Sequence, residues 1–422
     1  MIAKIAWKNI IHKPLNTALC ICLLTFGVGI ITLLLLMQYQ LEQKFRRDLK
    51  DIDLVVGAKG SPLQLVLSTI YHLDAPNGNI NLAEARKIME NPMVEKAIPL
   101  AYGDMHQGYR ILGTTKDYVK KYDAQLREGQ LFANKMEITL GANVAQQTGL
   151  RIGATFFGTH GDSKDEHLHD NHAYTVVGIL EKTNTVLDNL LLTNLESIWK
   201  VYANHPIISP PIDTLHATTL DLKHDHHDHE DHQHKLPSVI ADSMDITAIL
   251  LKYKTKRSVL SMPRLINEQT NMQAVLPALE INRLFYLIGI GVSTLKLIAV
   301  SIMLMAGFSV FFVLYDRLKD RRYELALLRT VGYKQGHLFG LLVSEGILLA
   351  FLGYIAGWGL SRLGLQWVNQ QTQHDLNWQF ESGLVPGEGV LLFVTFGVGV
   401  LAALIPAWQA MRMNVSKILA EN

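Results

Sequence analysis

The chain has 422 residues, of which 49% are hydrophobic and 18% charged, and its formal net charge is +1. That near-neutral balance gives no footprint of a nucleic-acid binder. The two cysteines, Cys20 and Cys22, lie two positions apart in an apolar stretch. On a helix they point about 200° away from each other, so a disulfide framework is excluded.

The averages hide a segregation. Residues 15–37 carry no charge and make a helix of roughly 35 Å, enough to cross a hydrocarbon core of about 30 Å. A cleaved signal peptide is the competing reading. The run is too long for an h-region, and no small-residue cleavage site follows before Glu42, Gln43 and Lys44. Residues 1–39 are therefore read as an interfacial segment and a first transmembrane helix.

Residues 40–283 read as a large extracytoplasmic α+β domain. Its first part mixes short apolar runs (54–56) with a helix-like stretch (81–91). A β-rich lobe, about 126–240, holds strand-like runs at 138–140, 155–157 and 174–180, punctuated by Gly141, Gly149, Gly153, Gly158 and Gly178. Another strand is expected at 245–253, and a helix at 263–283 leading into the second span.

Two histidine-rich loops interrupt the lobe. One, 160–172, holds His160, His167, His169 and His172. The other, 224–234, holds His224, His226, His227, His229, His232 and His234 with four acids. Neither has hydrophobic periodicity. Imidazole with carboxylate suits Zn²⁺, and also Cu²⁺ or Ni²⁺, bound by a flexible chain as several loosely held ions. The bland alternative is a solvated polar linker. His72, His106, His205 and His374 read as ordinary surface or core residues.

Residues 284–315 read as a stalk and second span, with Lys296 near an interface where its stem can snorkel. Residues 338–361 form the third span with one acid, Glu345, an intramembrane polar residue that is either functional or an interhelical bond. An outer loop, 362–388, precedes the fourth span and tail, 389–422. Lys4, Lys8, Lys13, Arg317, Lys319, Arg321, Arg322, Arg329, Lys334, Arg412 and Lys417 fall on one side. Arg362, Asp375, Glu381 and Glu388 fall on the other. The positive-inside bias then puts both termini and 316–337 in the cytoplasm.

The chain contains no Gly-Lys dipeptide, so it has no Walker A loop, and neither G-x-S-x-G nor H-E-x-x-H occurs. No catalytic machinery is apparent. Within 316–337, residues 321–329 form a short amphipathic helix ended at Gly332. Physics alone leaves two readings for it: a handle for a cytoplasmic partner, or a basic interfacial helix on acidic lipid heads.

Residues 321–332 (Arg-Arg-Tyr-Glu-Leu-Ala-Leu-Leu-Arg-Thr-Val-Gly) and 342–346 (Leu-Val-Ser-Glu-Gly) resemble the signature of the FtsX/MacB/LolE permease superfamily. So do 5–10 and 14–17 before the first span, and 405–410 (Ile-Pro-Ala-Trp-Gln-Ala) at the end of the last. Residues 129–132, 140–145 and 174–180 are similar to its outer domain. The resemblance covers nearly the whole chain in order.

It implies a mechanotransmission ABC permease working as a homodimer or with a paralogue, beside a separate LolD/MacB-like ATPase subunit. The coupling helix would act through Arg321, Arg322, Glu324, Leu328, Arg329 and Gly332. The histidine tracts are not part of the family pattern. The expectation is a bacterial inner-membrane permease subunit linked to zinc or another divalent metal, with no prosthetic group and ATP used only through its partner. A metal-binding protein or lipoprotein is the expected outer-face partner. The rivals are a lipoprotein, peptide or amphiphile exporter, and a non-transporting FtsX-like regulator.

Overall fold

In lipid a backbone can satisfy its polar groups only within the segment, so long apolar runs become helices. The computed structural model describes residues 14–159, 172–202, 244–255, 258–375 and 380–413. Among them four helices are long and apolar enough to cross a membrane. They are Pro14–Asp48, Pro277–Asp320, Gln335–Asp375 and Glu388–Met411. The chain divides into two units: Met1–Gln43 with Leu284–Asn422, and Lys44–Arg283.

In the first unit glycines set the helix spacing. A Cβ on Gly346 of the third spanning helix would sit 2.6 Å from the Gly399 carbonyl oxygen of the fourth. One on Gly399 would sit 2.7 Å from the Gly346 oxygen. Only small residues allow backbones so close. The buried centre gathers Cys20 and Leu24, Ala306, Val310 and Leu314, Leu349, and Ala402 and Ala403 from the four spanning helices in turn. Cys20 Sγ lies 3.1 Å from Ser309 Oγ, and both cysteines are free thiols. Lys296 donates to Gln38 Oε1 of the first helix at 2.7 Å.

The stretch 362–388 differs from the expected loop. The third helix runs on to Asp375, because Leu365 keeps the helical period and buries against Leu36 and Val385. At the other end Glu388 is already helical and buried.

The second unit is built on a ten-stranded sheet with a separate two-stranded one. Its strands are β1 (Leu54–Ala58), β2 (Ile80–Asn81), β3 (Val94–His106), β4 (Tyr109–Gly113), β5 (Leu126–Gly129) and β6 (Glu137–Leu140). They continue with β7 (Thr155–Phe156), β8 (Tyr174–Leu180), β9 (Leu190–Thr193), β10 (Asp245–Ile246), β11 (Ala248–Tyr253) and β12 (Met272–Val275). The order is β12-β1-β11-β3-β4-β9-β6-β8-β5, with β7 on β8 and β10 paired to β2. Leu54, Val55 and Val56 are wholly buried, so β1 reads as a continuous apolar run rather than an alternating one. The thirteen-residue β3 pairs with β11 in its first half and β4 in its second, so the strands beyond 126 extend the same sheet.

Two expectations change here. The stretch 245–253 is two strands, broken at Thr247, whose N–H donates to Leu100 O and whose hydroxyl accepts from Tyr102 N–H. The stretch 263–283 is not one helix. A helix ends at Gln269, and β12 follows before Pro277 opens the second spanning helix, the first-turn position where proline's missing N–H costs nothing. Asn267 fixes that break, donating to Ala274 O at 3.1 Å and accepting from Ala274 N at 2.7 Å.

Candidate functional site

The amphipathic segment folds as a nine-residue helix, Arg322–Thr330, between the second and third spanning helices. Arg321 caps its start, and its Nε donates to Glu324 Oε2 at 2.7 Å. The end is closed by Gly332 at φ +105°, a backbone region that favours glycine. Leu325 and Ala326 are buried, Leu325 in a cluster with Leu318, Leu338, Leu341, Leu342, Ala407 and Ala410. Arg329 donates from Nη1 to Met413 O at 2.9 Å, tying the helix to the end of the fourth spanning helix.

The opposite face is apolar and exposed. Tyr323, Leu327 and Val331 are 46%, 50% and 75% exposed and fall four residues apart, so they share one face. The six expected residues therefore divide. Arg322 and Glu324 are exposed, Arg321 holds Glu324, Arg329 is turned inward, and Gly332 ends the helix. The side chain of Leu328 lies outside the described residues. The exposed apolar trio was not singled out in the sequence, though its four-residue spacing is visible there.

Two buried ion pairs flank the third spanning helix. Glu345 Oε2 lies 3.9 Å from Arg317 Nη1 of the second, and Arg317 Nη2 donates to Thr17 Oγ1 of the first. The intramembrane acid thus joins three helices through one guanidinium. Arg362 Nη2 donates to Glu388 Oε1 at 2.7 Å and to Gly383 O at 2.9 Å, and Trp358 Nε1 donates to Glu388 Oε2 at 3.1 Å. Arg317 and Arg362 read from sequence only as flanking charges, yet both are buried.

Of the ten tract histidines only His172 falls among the described residues, half-buried just before β8. His160, His167, His169, His224, His226, His227, His229, His232 and His234 lie outside them. Among the described residues no three His, Cys, Asp or Glu gather as a metal site. Thr159, just before the first tract, and Tyr202, twenty-two positions before the second, meet neighbouring positions on β3. Thr159 and Met105 exchange backbone hydrogen bonds at 2.8 and 3.0 Å, and the Tyr202 hydroxyl donates to Asp104 Oδ1 at 2.6 Å.

His72 is set between two phenols, its Nδ1 2.6 Å from the Tyr102 oxygen and its Nε2 2.8 Å from that of Tyr118. Tyr102 donates to Ser68 O, so it accepts from Nδ1–H, and Nε2 accepts from Tyr118. Burial first, then the charges of Arg110 and Lys121, pull the imidazole down to about 3. His106 Nδ1 lies 3.1 Å from Phe157 O, and the His374 side chain and His205 lie outside the described residues.

Four spanning helices, an α+β domain between the first two and a pinned short helix between the second and third are the architecture of an ABC-type membrane permease. The MacB-like periplasmic core domain model matches residues 17–218 and the FtsX-like permease C-terminal model residues 296–415, and the chain belongs to this FtsX/MacB family. It is similar to the periplasmic region of MacB from Actinobacillus actinomycetemcomitans. The identity there is 9% and the TM-score 0.33, over 57% of this chain and 98% of that one. It is also similar to the extracellular domain of the noncanonic ABC-type transporter YknZ from Gram-positive bacteria. There the identity is 10% and the TM-score 0.30, over 53% of this chain and 98% of the other. No curated protein matches the chain.

Proposed function

We propose that the chain is the permease subunit of an ATP-driven mechanotransmission system in a bacterial inner membrane, with both termini and the Arg322–Thr330 helix cytoplasmic. In this reading a separate ATPase docks on Tyr323, Leu327 and Val331, and two permease copies work together. The observation that carries it is the two-sidedness of the short helix. One face is locked to the bundle through Leu325 and the Arg329–Met413 bond, while the other offers bare apolar side chains. A push on that face is then passed to the spans rather than absorbed by a loose loop. Leu327→Asp with Val331→Asp should abolish co-purification of the ATPase while expression persists. An ATPase retained at the wild-type level would remove this docking face.

The cargo chemistry we propose is divalent metal, zinc above all. Ligand density supports it, with ten histidines in two tracts. The purified full chain should bind more than one Zn²⁺ at pH 7.5 by titration calorimetry and fewer at pH 5.5, where imidazoles are protonated. Deleting 224–234 should remove most of the ions. Equal stoichiometry with and without that tract would return it to a solvated linker.

A further inference from the structure

The last turns of the second and fourth spanning helices and the start of the Arg322–Thr330 helix enclose a cleft of about 330 Å³. Leu318 and Met413 contribute apolar surface to it, and Tyr315, Trp408, Gln409, Arg322 and Arg412 line the rest. Of the other arginines of this region, Arg317 pairs with Glu345, Arg321 with Glu324, and Arg329 is held by the Met413 carbonyl. Among the described residues Arg322 and Arg412 have no carboxylate partner. The Arg412 guanidinium lies 4.0 Å over the Trp408 ring, which holds it in place without neutralising it.

Two uncompensated guanidinium groups in one small cleft repel each other and favour an anion between them. Their planar forks match the oxygens of a phosphate. The setting narrows the anion further. Tyrosine and tryptophan at the ends of spanning helices sit at headgroup level. From Tyr315 an exposed strip runs one and two turns along its helix through Phe312 and Phe308, 64% and 62% exposed. From Trp408 a matching strip runs through Ile405 and Leu401, 54% and 66% exposed. Exposed apolar side chains are expected where a spanning helix faces lipid, and these two strips run on from the cleft itself. A ligand with a phosphate head and two apolar tails would use all three.

We infer that this cleft binds the phosphate of an anionic phospholipid, with its acyl chains along the Phe308–Phe312 and Leu401–Ile405 strips. Because Arg322 opens the short helix and Arg412 closes the fourth span, the bound headgroup bridges them. The inference rests on the membrane reading of the chain and not on the ATPase, so the test uses the permease alone.

The delipidated full chain in neutral detergent is titrated with phosphatidylglycerol, phosphatidylcholine, glycerol 3-phosphate and inorganic phosphate, with bound lipid counted by native mass spectrometry. Phosphatidylglycerol should bind, and phosphatidylcholine more weakly. Neither soluble phosphate should displace it at equal concentration. Arg322→Gln and Arg412→Gln should each weaken binding about fivefold, and the pair about thirtyfold, as expected for one interfacial charge each. Arg→Lys at both positions should recover part of the loss. Unchanged phosphatidylglycerol affinity in the double variant would overturn the site. Displacement by inorganic phosphate at equal concentration would overturn the lipid assignment.

Discussion

Replacing Glu345 with leucine leaves the Arg317 guanidinium in a buried site with Thr17 as its remaining hydrogen-bond partner. Removing one member of a buried pair costs about 3–5 kcal/mol, because the other charge stays desolvated without compensation. Replacing both with apolar residues of similar volume is often neutral. Glu345→Leu should therefore be severe, and Arg317→Met with Glu345→Leu mild. Cys20 offers a readout inside the same bundle, being wholly buried beside Ser309. In a Cys22→Ser background its labelling by a membrane-permeant maleimide reports opening of the helices. A loss of 3–5 kcal/mol raises the open fraction about a hundredfold to a few thousandfold, and labelling follows it when reclosing outpaces reaction. The double variant should label within about tenfold of the parent. A Glu345→Leu protein that labels at the parent rate would show that the pair does not hold the bundle. A double variant as fast as the single would show that packing, not charge, is at stake.

Two further outcomes are expected. His72 is neutral in the folded state and protonates near 6.5 when unfolded, so the unfolded chain gains the proton first as pH falls. Its contribution to stability is full above about pH 6.5 and declines from there toward about 3. Between pH 7 and 5 the loss is about 2 kcal/mol, read as a lower denaturant midpoint that His72→Gln should flatten; an equal slope in both proteins would refute it. Cysteine placed at Lys319 in a background lacking Cys20 and Cys22 should resist an impermeant thiol reagent in spheroplasts, whereas cysteine at His227 or Asn377 should react. Labelling at Lys319 would invert the topology.

The spans were legible because their signal is one-dimensional, a long run without charge. The strands at 138–140 and 174–180 were legible for a similar reason, short β-branched runs with a glycine beside the first and inside the second. What sequence concealed was pairing at a distance. Nothing local says that Arg317 and Glu345 meet, or that Arg362, nominally a flanking charge, closes on Glu388. The break in 263–283 hid because its strand is made by pairing with the distant β1, and the reciprocal bonds between Asn267 and Ala274 hold the turn into it. On the short helix the charged positions drew attention, while the exposed Tyr323, Leu327 and Val331 needed the buried face to be known first. The histidine tracts were plain in sequence, and the fold ties Thr159, just before the first of them, to Met105 of β3.

The two buried ion pairs have a consequence for how this bundle can move. Glu345 and Arg362 are seventeen positions apart on one unbroken helix, about 25 Å along its axis, and no charged residue lies between them. That interval is close to the thickness of a hydrocarbon core. Sliding the helix along its axis by a turn would drag one charged group toward the lipid centre and pull both pairs apart. Rotating it about its length keeps each charge at its own depth but swings Glu345 and Arg362 away from Arg317 and Glu388. The pairs therefore oppose independent movement of this helix, and any displacement that keeps them has to carry Arg317 and Glu388 with it.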